Sequence, residues 1–395
     1  MKRHAFKEFC GSFSCASVYV GALVGPALVA GTYATVFYLP SGCNSLWLPF
    51  VACALVGLMC VSAAEIIRHY KTYEYGALAE KVYFGKKFFC VLFDVYVMLS
   101  NLVGTSLILS MSGSFLTELT GLPNIVGMII IAVLTVVLVK YRDKIIRFAN
   151  SIMTIVLIVG FAVISLLVLG LYGDRVYAVL SSWQAPEGTS IWQGFGSACK
   201  YAFASSAFAM TMCCVEQPIK THRQSLMLGG CILVMGGLLQ AISCFTFLPF
   251  VSEVMGDSMP LVYVMNNYIA GTYPWIPTVY YILMLLAIIS STIPATYMIS
   301  SRYQHLVPNI PGAKTEDGKN MTAASGFMLV CTLVGALGLS TLANQGLTVV
   351  SWIGMPIVVI PLLFIWPRIM KKIRREEKKD ETTVPLTTVN SPADA

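Results

Sequence analysis

Residues 21–31 are the stretch whose composition could do chemistry, with Gly21, Gly25 and Gly31 spaced around Pro26-Ala27 in the middle of an apolar run, 10–39. A helix inside a membrane has no water to satisfy freed backbone groups, so a break there needs a reason. Pro26 has no N–H, and its ring crowds the carbonyl four residues earlier. The three glycines lower the cost of leaving helical geometry. A break would expose free carbonyls, which suit a cation, and a new half-helix N-terminus, which suits an anionic group. The same residues also fit a kinked helix that uses small side chains for close packing. A second small-residue stretch, Phe203-Ala204-Ser205-Ser206-Ala207, brings two hydroxyls into the run 191–217. No Gly or Pro falls between Ser197 and Val215, so this stretch reads equally as a tightly packed helix face. Lys200 and Asp94 are the ionisable residues well inside apolar runs, and intramembrane charges are functional candidates by default. Their depths, roughly 12 Å and 10 Å along their helices from opposite ends, allow them to meet within a core of about 30 Å. A structural ion pair is the other reading. Glu65 near Arg68 and Glu216 near Lys220 read as solvated pairs at helix ends.

The elements that must position these residues are membrane helices. The chain of 395 residues is 57% hydrophobic and 11% charged, which no soluble globular class matches. Ten apolar runs are long enough to span: 10–39, 46–68, 88–117, 123–141, 146–172, 191–217, 225–250, 274–300, 322–343 and 346–367. With the N-terminus inside, 24 of the 26 Lys and Arg residues fall in inside segments, Arg175 falls outside and Lys200 lies within a span. That asymmetry predicts a multi-pass protein of the cell membrane, surrounded by the lipid bilayer, with both termini cytoplasmic. The net charge of +7 follows this topology and is not a nucleic-acid signal. The outer segment 251–273 is too apolar for a free loop, and its Leu261-Val262-Tyr263-Val264-Met265 is expected to pack on the outer vestibule. The expected organisation is a short cytoplasmic N-terminus, 1–9, a transmembrane domain, 10–367, and a charged, disordered cytoplasmic tail, 368–395.

Ten spans divide into two sets of five, about 10–172 and 191–367. An odd number per half forces opposite topology, so any repeat is inverted, and the first helix of each half should be the broken one. The predicted fold class is an all-α polytopic membrane protein with a 5+5 inverted repeat.

The pattern Tyr19-Val20-Gly21-Ala22-Leu23-Val24-Gly25-Pro26-Ala27-Leu28-Val29-Ala30-Gly31 resembles the first helix of the YkvI-type membrane proteins. These belong to the amino acid–polyamine–cation superfamily with the LeuT-like fold. Phe93-Asp94, Ser110 to Phe115 leading into Gly121-Leu122-Pro123, Met259-Pro260-Leu261 and Leu286 to Ser291 extend the resemblance along most of the chain. It departs where relatives carry Gly-Gln-Glu after the broken helix and this chain has Gly31-Thr32-Tyr33, and where they carry a Gly-rich motif and this chain has Ser110-Met111-Ser112-Gly113.

The resemblance implies a secondary transporter working by alternating access, with spans one, two, six and seven rocking against three, four, eight and nine. A small, amino-acid-like solute would bind at Gly21, Gly25, Pro26, Ala27, Gly31, Ser205 and Ser206. Ala287, Ser290 and Ser291 sit at i, i+3 and i+4 on one face of the eighth span. The resemblance implies that these residues and Ala22 form a site for sodium as the coupling ion. Ordinary bonding of the two serines to their own helix fits the spacing as well. Coupling to protons through Lys200 is the competing expectation. A non-transporting receptor or partner subunit that keeps the fold is the alternative function, and a channel is a third. No enzyme motif, P-loop, transition-metal spacing or other cofactor signature is present in the sequence. Substrate identity and oligomeric state are not specified by these features.

Overall fold

The computed structural model describes residues 2–23, 28, 30–140, 142–182, 190–214, 219–255, 257, 259–308, 314–338 and 341–383. Among them the secondary structure is helical, with no strand. The principal helices are α1 (Lys2–Leu23), α2 (Leu48–Tyr70), α3 (Tyr75–Val82), α4 (Lys87–Thr120), α5 (Asn124–Val139), α6 (Arg142–Ser182), α7 (Ile191–Ala204), α8 (His222–Phe247), α9 (Ile276–Tyr303), α10 (Glu316–Gly335), α11 (Leu347–Gly354) and α12 (Trp366–Thr383). Six continuous helical segments among the described residues are long and apolar enough to cross a membrane: Leu48–Tyr70, Lys87–Thr120, Ser151–Ser182, His222–Val254, Ile276–Leu306 and Leu347–Phe364. Every one of the ten expected runs overlaps helix.

Local sequence sets the helix ends. α7 and α8 each begin with a capping box, Ser190 with Gln193 and Thr221 with Gln224, in which side chains and backbone N–H groups satisfy one another. α4 ends where Gly121 takes φ +73° and donates its N–H to the Thr117 carbonyl at 2.8 Å. Pro123 then precedes α5. The first span does not run straight. α1 is described to Leu23, the chain turns at Gly31 with φ +89°, and wide π-type turns over Ala34–Tyr38 carry it onward.

The packing maps onto itself when the two halves are exchanged. α1 packs on α8 as α7 packs on α2, and α1 packs on α6 as α7 packs on α11. Likewise α4 packs on α5 as α9 packs on α10, α4 on α10 as α9 on α5, and α6 on α9 as α11 on α4. The contacts of α2 with α8 and of α4 with α9 map onto themselves. This exchange of contacts is the pattern that an inverted repeat produces.

α2 and α8 approach closely because small residues face each other. A Cβ on Gly57 would lie 2.9 Å from the Gly229 carbonyl oxygen, and one on Gly229 would lie 2.5 Å from Val61 Cγ2. Small residues at such crossings let backbones pack directly. The loop 251–273 behaves as its composition predicts: Leu261, Val262, Val264 and Met265 are buried in two short helical turns.

Residues 368–383 correct the expectation of a disordered tail, since α12 carries them as helix. Ile369 and Ile373 are buried at i, i+4 spacing. Arg368, Lys371, Lys372 and Arg375 around them are exposed, as suits a helix with one buried stripe. We predict that Gly57→Val lowers the stability of the purified protein by about 1–3 kcal/mol, because the obstructing atom is backbone and cannot move aside. Gly230→Val, with open space around its Cβ, serves as the control. Equal melting temperatures for the two variants would refute the close crossing.

Candidate functional site

In the last described turn of α1, the Gly21 carbonyl accepts a hydrogen bond from Ser291 Oγ of α9 at 2.8 Å. Ser290 Oγ donates to the Ala287 carbonyl of its own helix at 3.0 Å. Ala287, Ser290 and Ser291 are all buried. The face expected from their spacing therefore lies against the end of α1, with Ser291 reaching across and Ser290 bonding at home. Gly25, Pro26 and Ala27 lie outside the described residues, as does the side chain of Ala22.

The chain turns back into helix at Gly31, whose φ of +89° favours glycine. A Cβ there would also collide with the Phe247 ring, so Gly31 is required twice over. Gly31 donates its N–H to Leu28 at 3.0 Å and accepts from Thr35 at 3.1 Å. The neighbouring Ala30 carbonyl accepts the N–H of Leu261 at 2.8 Å. The outer loop is thus hydrogen-bonded to the segment just past the interruption.

The sixth span changes character where its serines begin. α7 stops at Ala204, and tighter 3₁₀ turns run over Ser205–Cys214. Runs of 3₁₀ helix this long are uncommon and mark hinges or strain. Ser205 and Ser206 are buried. Ser206 Oγ lies 3.0 Å from the Tyr96 hydroxyl of α4, which also donates to the Phe203 carbonyl at 3.3 Å. Gly354 of α11 makes room for this contact, because a Cβ there would strike the Tyr96 hydroxyl and sit 3.0 Å from the Phe203 carbonyl oxygen. Tyr96 was missed in the sequence, although a tyrosine inside an apolar run has a hydroxyl that must find a partner.

The two interruptions are joined by an aromatic cluster. The Tyr201 ring of α7 sits 5.3 Å from those of Tyr33 and Phe37 and 5.6 Å from Tyr38. The Tyr38 hydroxyl donates to Gln240 Oε1 at 2.6 Å, tying the resumed first span to α8.

The expected pairing of Lys200 with Asp94 does not form. Lys200 is exposed on α7, off the stripe of Gly194, Ala198, Tyr201 and Ala202 that faces the core. Asp94 Oδ1 instead lies 3.7 Å from Arg302 Nε at the end of α9, and Glu74 Oε2 lies 3.5 Å from Arg302 Nη1. Arg302 rests over the Tyr75 ring and against Gly76, whose missing side chain leaves room for it. Burial, and then the nearby Asp94 carboxylate, push the Tyr75 phenol above its ordinary value, so it stays neutral. This cluster joins α3, α4 and α9. Glu65 is also corrected: its side chain is fully buried rather than solvated, and it holds Arg68 at 3.0 Å and His222 Nδ1 of α8 at 3.2 Å. Glu216 lies outside the described residues.

No family model matches the chain, and no curated protein matches it in sequence. Solved structures do match in shape. MhsT in complex with L-phenylalanine superposes with a TM-score of 0.64 at 14% identity, covering 92% of this chain and 97% of MhsT. The manganese transporter of Eremococcus coleocola gives 0.61 at 12% identity, covering 90% and 79%. A Na+-coupled sialic acid symporter gives 0.60 at 13%, covering 90% and 79%. The fold is the LeuT-like one. At this identity the likeness establishes architecture and leaves the cargo open.

Two outcomes check this geometry. Leu261→Pro removes the donor to Ala30, and amide exchange at Thr32–Thr35 should then rise about 3- to 10-fold, as expected for one net hydrogen bond. Unchanged exchange would mean that the loop does not hold this segment. Lys200→Ala should leave any pH dependence of solute flux intact, since the side chain is outside the core. A flattened pH profile would restore the lysine to the mechanism.

Proposed function

We propose that this chain is a sodium-coupled secondary transporter of a small, amino-acid-like solute. The observation that carries the reading is the 2.8 Å contact of Ser291 Oγ with the Gly21 carbonyl. It brings an α9 hydroxyl onto a first-span carbonyl just before the Gly/Pro stretch, where a half-helix ending in that stretch would present its negative end. The Gly21 and Ala287 carbonyls and the Ser290 and Ser291 hydroxyls are neutral, hard oxygens converging within the bundle. Hard oxygens at a negative helix end suit a hard monovalent cation, and each hydroxyl can turn its lone pairs to the ion. Sodium is cargo here, moving with the solute.

The solute class follows from the groups beside the interruptions. The negative end of α1 favours an ammonium, and the N-terminus of the helix that restarts at Thr32 favours a carboxylate. The sixth span adds the Ser206 and Tyr96 hydroxyls and the Phe203 carbonyl, which are neutral hydrogen-bonding groups. That set fits a zwitterion better than a divalent metal, which demands charged or strongly basic ligands. Gly21, Gly31, Ser205 and Ser206, with Gly25, Pro26 and Ala27 between them in sequence, are the solute-binding residues of this reading. The bound phenylalanine of MhsT and the sodium coupling of the sialic acid symporter support it by analogy of fold. The resemblance of the first span to YkvI-type proteins is compatible with it. In this reading the protein sits in the cell membrane with both termini cytoplasmic, as the Lys and Arg distribution implies.

Uptake into proteoliposomes tests the proposal. Flux of the transported amino acid should saturate and require sodium, and Ser291→Ala should raise the half-maximal sodium concentration about tenfold, the worth of roughly one hydrogen-bonding ligand. Ser290→Ala should have a smaller effect, because Ser290 bonds within its own helix. Sodium-independent flux in the parent protein would remove the cation site. Absence of flux for every amino acid tried, with a folded protein, would favour a receptor that keeps the fold.

A further inference from the structure

A cavity lies where α3, α4 and α11 meet α12. It has a volume of about 730 Å³. Its walls are apolar, formed by Phe84, Phe89, Leu92, Trp352 and Ile360, and two cations, Lys86 and Arg368, line it as well. Neither cation has an acidic partner among the described residues. Trp352 is 61% exposed and Ile360 39% exposed, so the apolar wall opens sideways onto the surface that the bilayer covers. Lys86 and Arg368 belong to the Lys- and Arg-rich side of the molecule.

The cavity is built into the chain. Pro356 and Pro361 lack an N–H, and the backbone around each widens into π-type turns, Met355–Val359 and Pro361–Ile365. The Tyr83 hydroxyl donates to the Ile357 carbonyl within the first of these turns and so pins α3 to it. Phe84 takes φ +53°, an outlying conformation for a bulky residue, followed by Gly85 at +75°. The turn leaves the Phe84 ring 54% exposed, with Lys372 of α12 5.9 Å over it. On the other side of Phe84 lies a smaller cavity of about 240 Å³, where Glu80 sits among Lys81, Lys372 and Ile369. The acidic residue of this region is therefore grouped with those two lysines in the smaller cavity, and Lys86 and Arg368 line the larger one.

We propose that this cavity binds an anionic phospholipid of the inner leaflet, with an acyl chain along Leu92, Trp352 and Ile360 and the headgroup phosphate on Lys86 and Arg368. A side opening to the bilayer admits the chain without desolvating it. Paired cations at the membrane boundary then select a negative headgroup over a neutral one. A soluble anion would use the cations and leave the apolar wall uncovered. A bound lipid would join α12 to α3 and α11 and so steady the tail helix.

The test uses the delipidated full chain in detergent, with phosphatidylglycerol as the probe and retention measured by native mass spectrometry. Phosphatidylglycerol should be retained and should raise the melting temperature, whereas phosphatidylcholine should do neither. Lys86→Ala/Arg368→Ala should weaken phosphatidylglycerol binding about tenfold or more, at roughly 1 kcal/mol for each cation near the surface. Lys140→Ala/Lys314→Ala, on the same basic side but away from the cavity, should change nothing. Leu92→Trp, which fills the apolar wall, should cut binding as far as the charge variant. If Leu92→Trp fails to fold, dihexanoyl phosphatidylglycerol replaces it and should bind the parent far more weakly than the long-chain lipid. Equal retention of the two headgroups, an equal loss in the control pair, or equal competition by glycerol phosphate would each overturn the proposal.

Discussion

The constraint on which this structure turns is that a membrane leaves no backbone polar group unsatisfied. A helix that stops partway through the bilayer strands the carbonyls of its last turn. This chain departs from regular α-helix in two spans, at Gly31 in the first and after Ala204 in the sixth. A hydroxyl from a passing helix reaches a carbonyl near each departure. Ser291 of α9 reaches the Gly21 carbonyl, and Tyr96 of α4 reaches the Phe203 carbonyl. Those two helices exchange places under the internal symmetry. The two halves therefore share a device as well as a shape: a span departs from regular helix, and a helix passing beside it supplies a hydroxyl donor.

The same device explains why the interruptions can bind ligands at all. A single hydroxyl is a weak, reversible partner, worth about 0.5–1.5 kcal/mol net. In the proposed reading, a cation arriving at the Gly21 carbonyl would replace that bond with a charge-assisted one.

Much of this was legible in the chain, and the gaps have physical causes. Of the Gly/Pro stretch, the turn at Gly31 is seen, while Gly25 and Pro26 lie outside the described residues; the ten runs and the tilt of Lys and Arg to one side pointed to an inverted repeat. The second break was legible only by symmetry, because the 3₁₀ turns after Ala204 contain no Gly or Pro. Lys200 and Asp94 misled because counting residues along a helix gives depth and not azimuth. The azimuth was available in the small-residue stripe of α7, which excludes Lys200. The true partner of Asp94, Arg302, lies far away in sequence, and nothing local announces it. The tail looked disordered by its charge, but two isoleucines four apart were enough to seat it as helix. Glu65 looked solvated because Arg68 is near in sequence, and the packing of α2 on α8 that buries it is a tertiary fact.

The strengths of the ties around the first span bear on how it could move. Beyond the interruption, one backbone bond, Leu261 to Ala30, holds the outer loop down. Before it, one side-chain bond, Ser12 Oγ to the Gln224 carbonyl at 2.9 Å, holds α1 to the start of α8. Each is a single neutral hydrogen bond, and beyond the interruption the Tyr38 hydroxyl adds another to Gln240 of α8 at 2.6 Å. The ties that include a carboxylate are elsewhere: Glu65 with His222 joins α2 to α8, and Asp94 with Arg302 joins α4 to α9. The stronger contacts thus bind spans two and seven together and spans three and eight together, while weaker ones cross at the two ends of span one. A ligand can shift an equilibrium only by its differential affinity for the two states. Against ties that are each a neutral hydrogen bond, a difference of a few kcal/mol is enough to shift such an equilibrium. In the proposed reading a cation at Gly21 and Ser291 would lie between those ties and so bear on both.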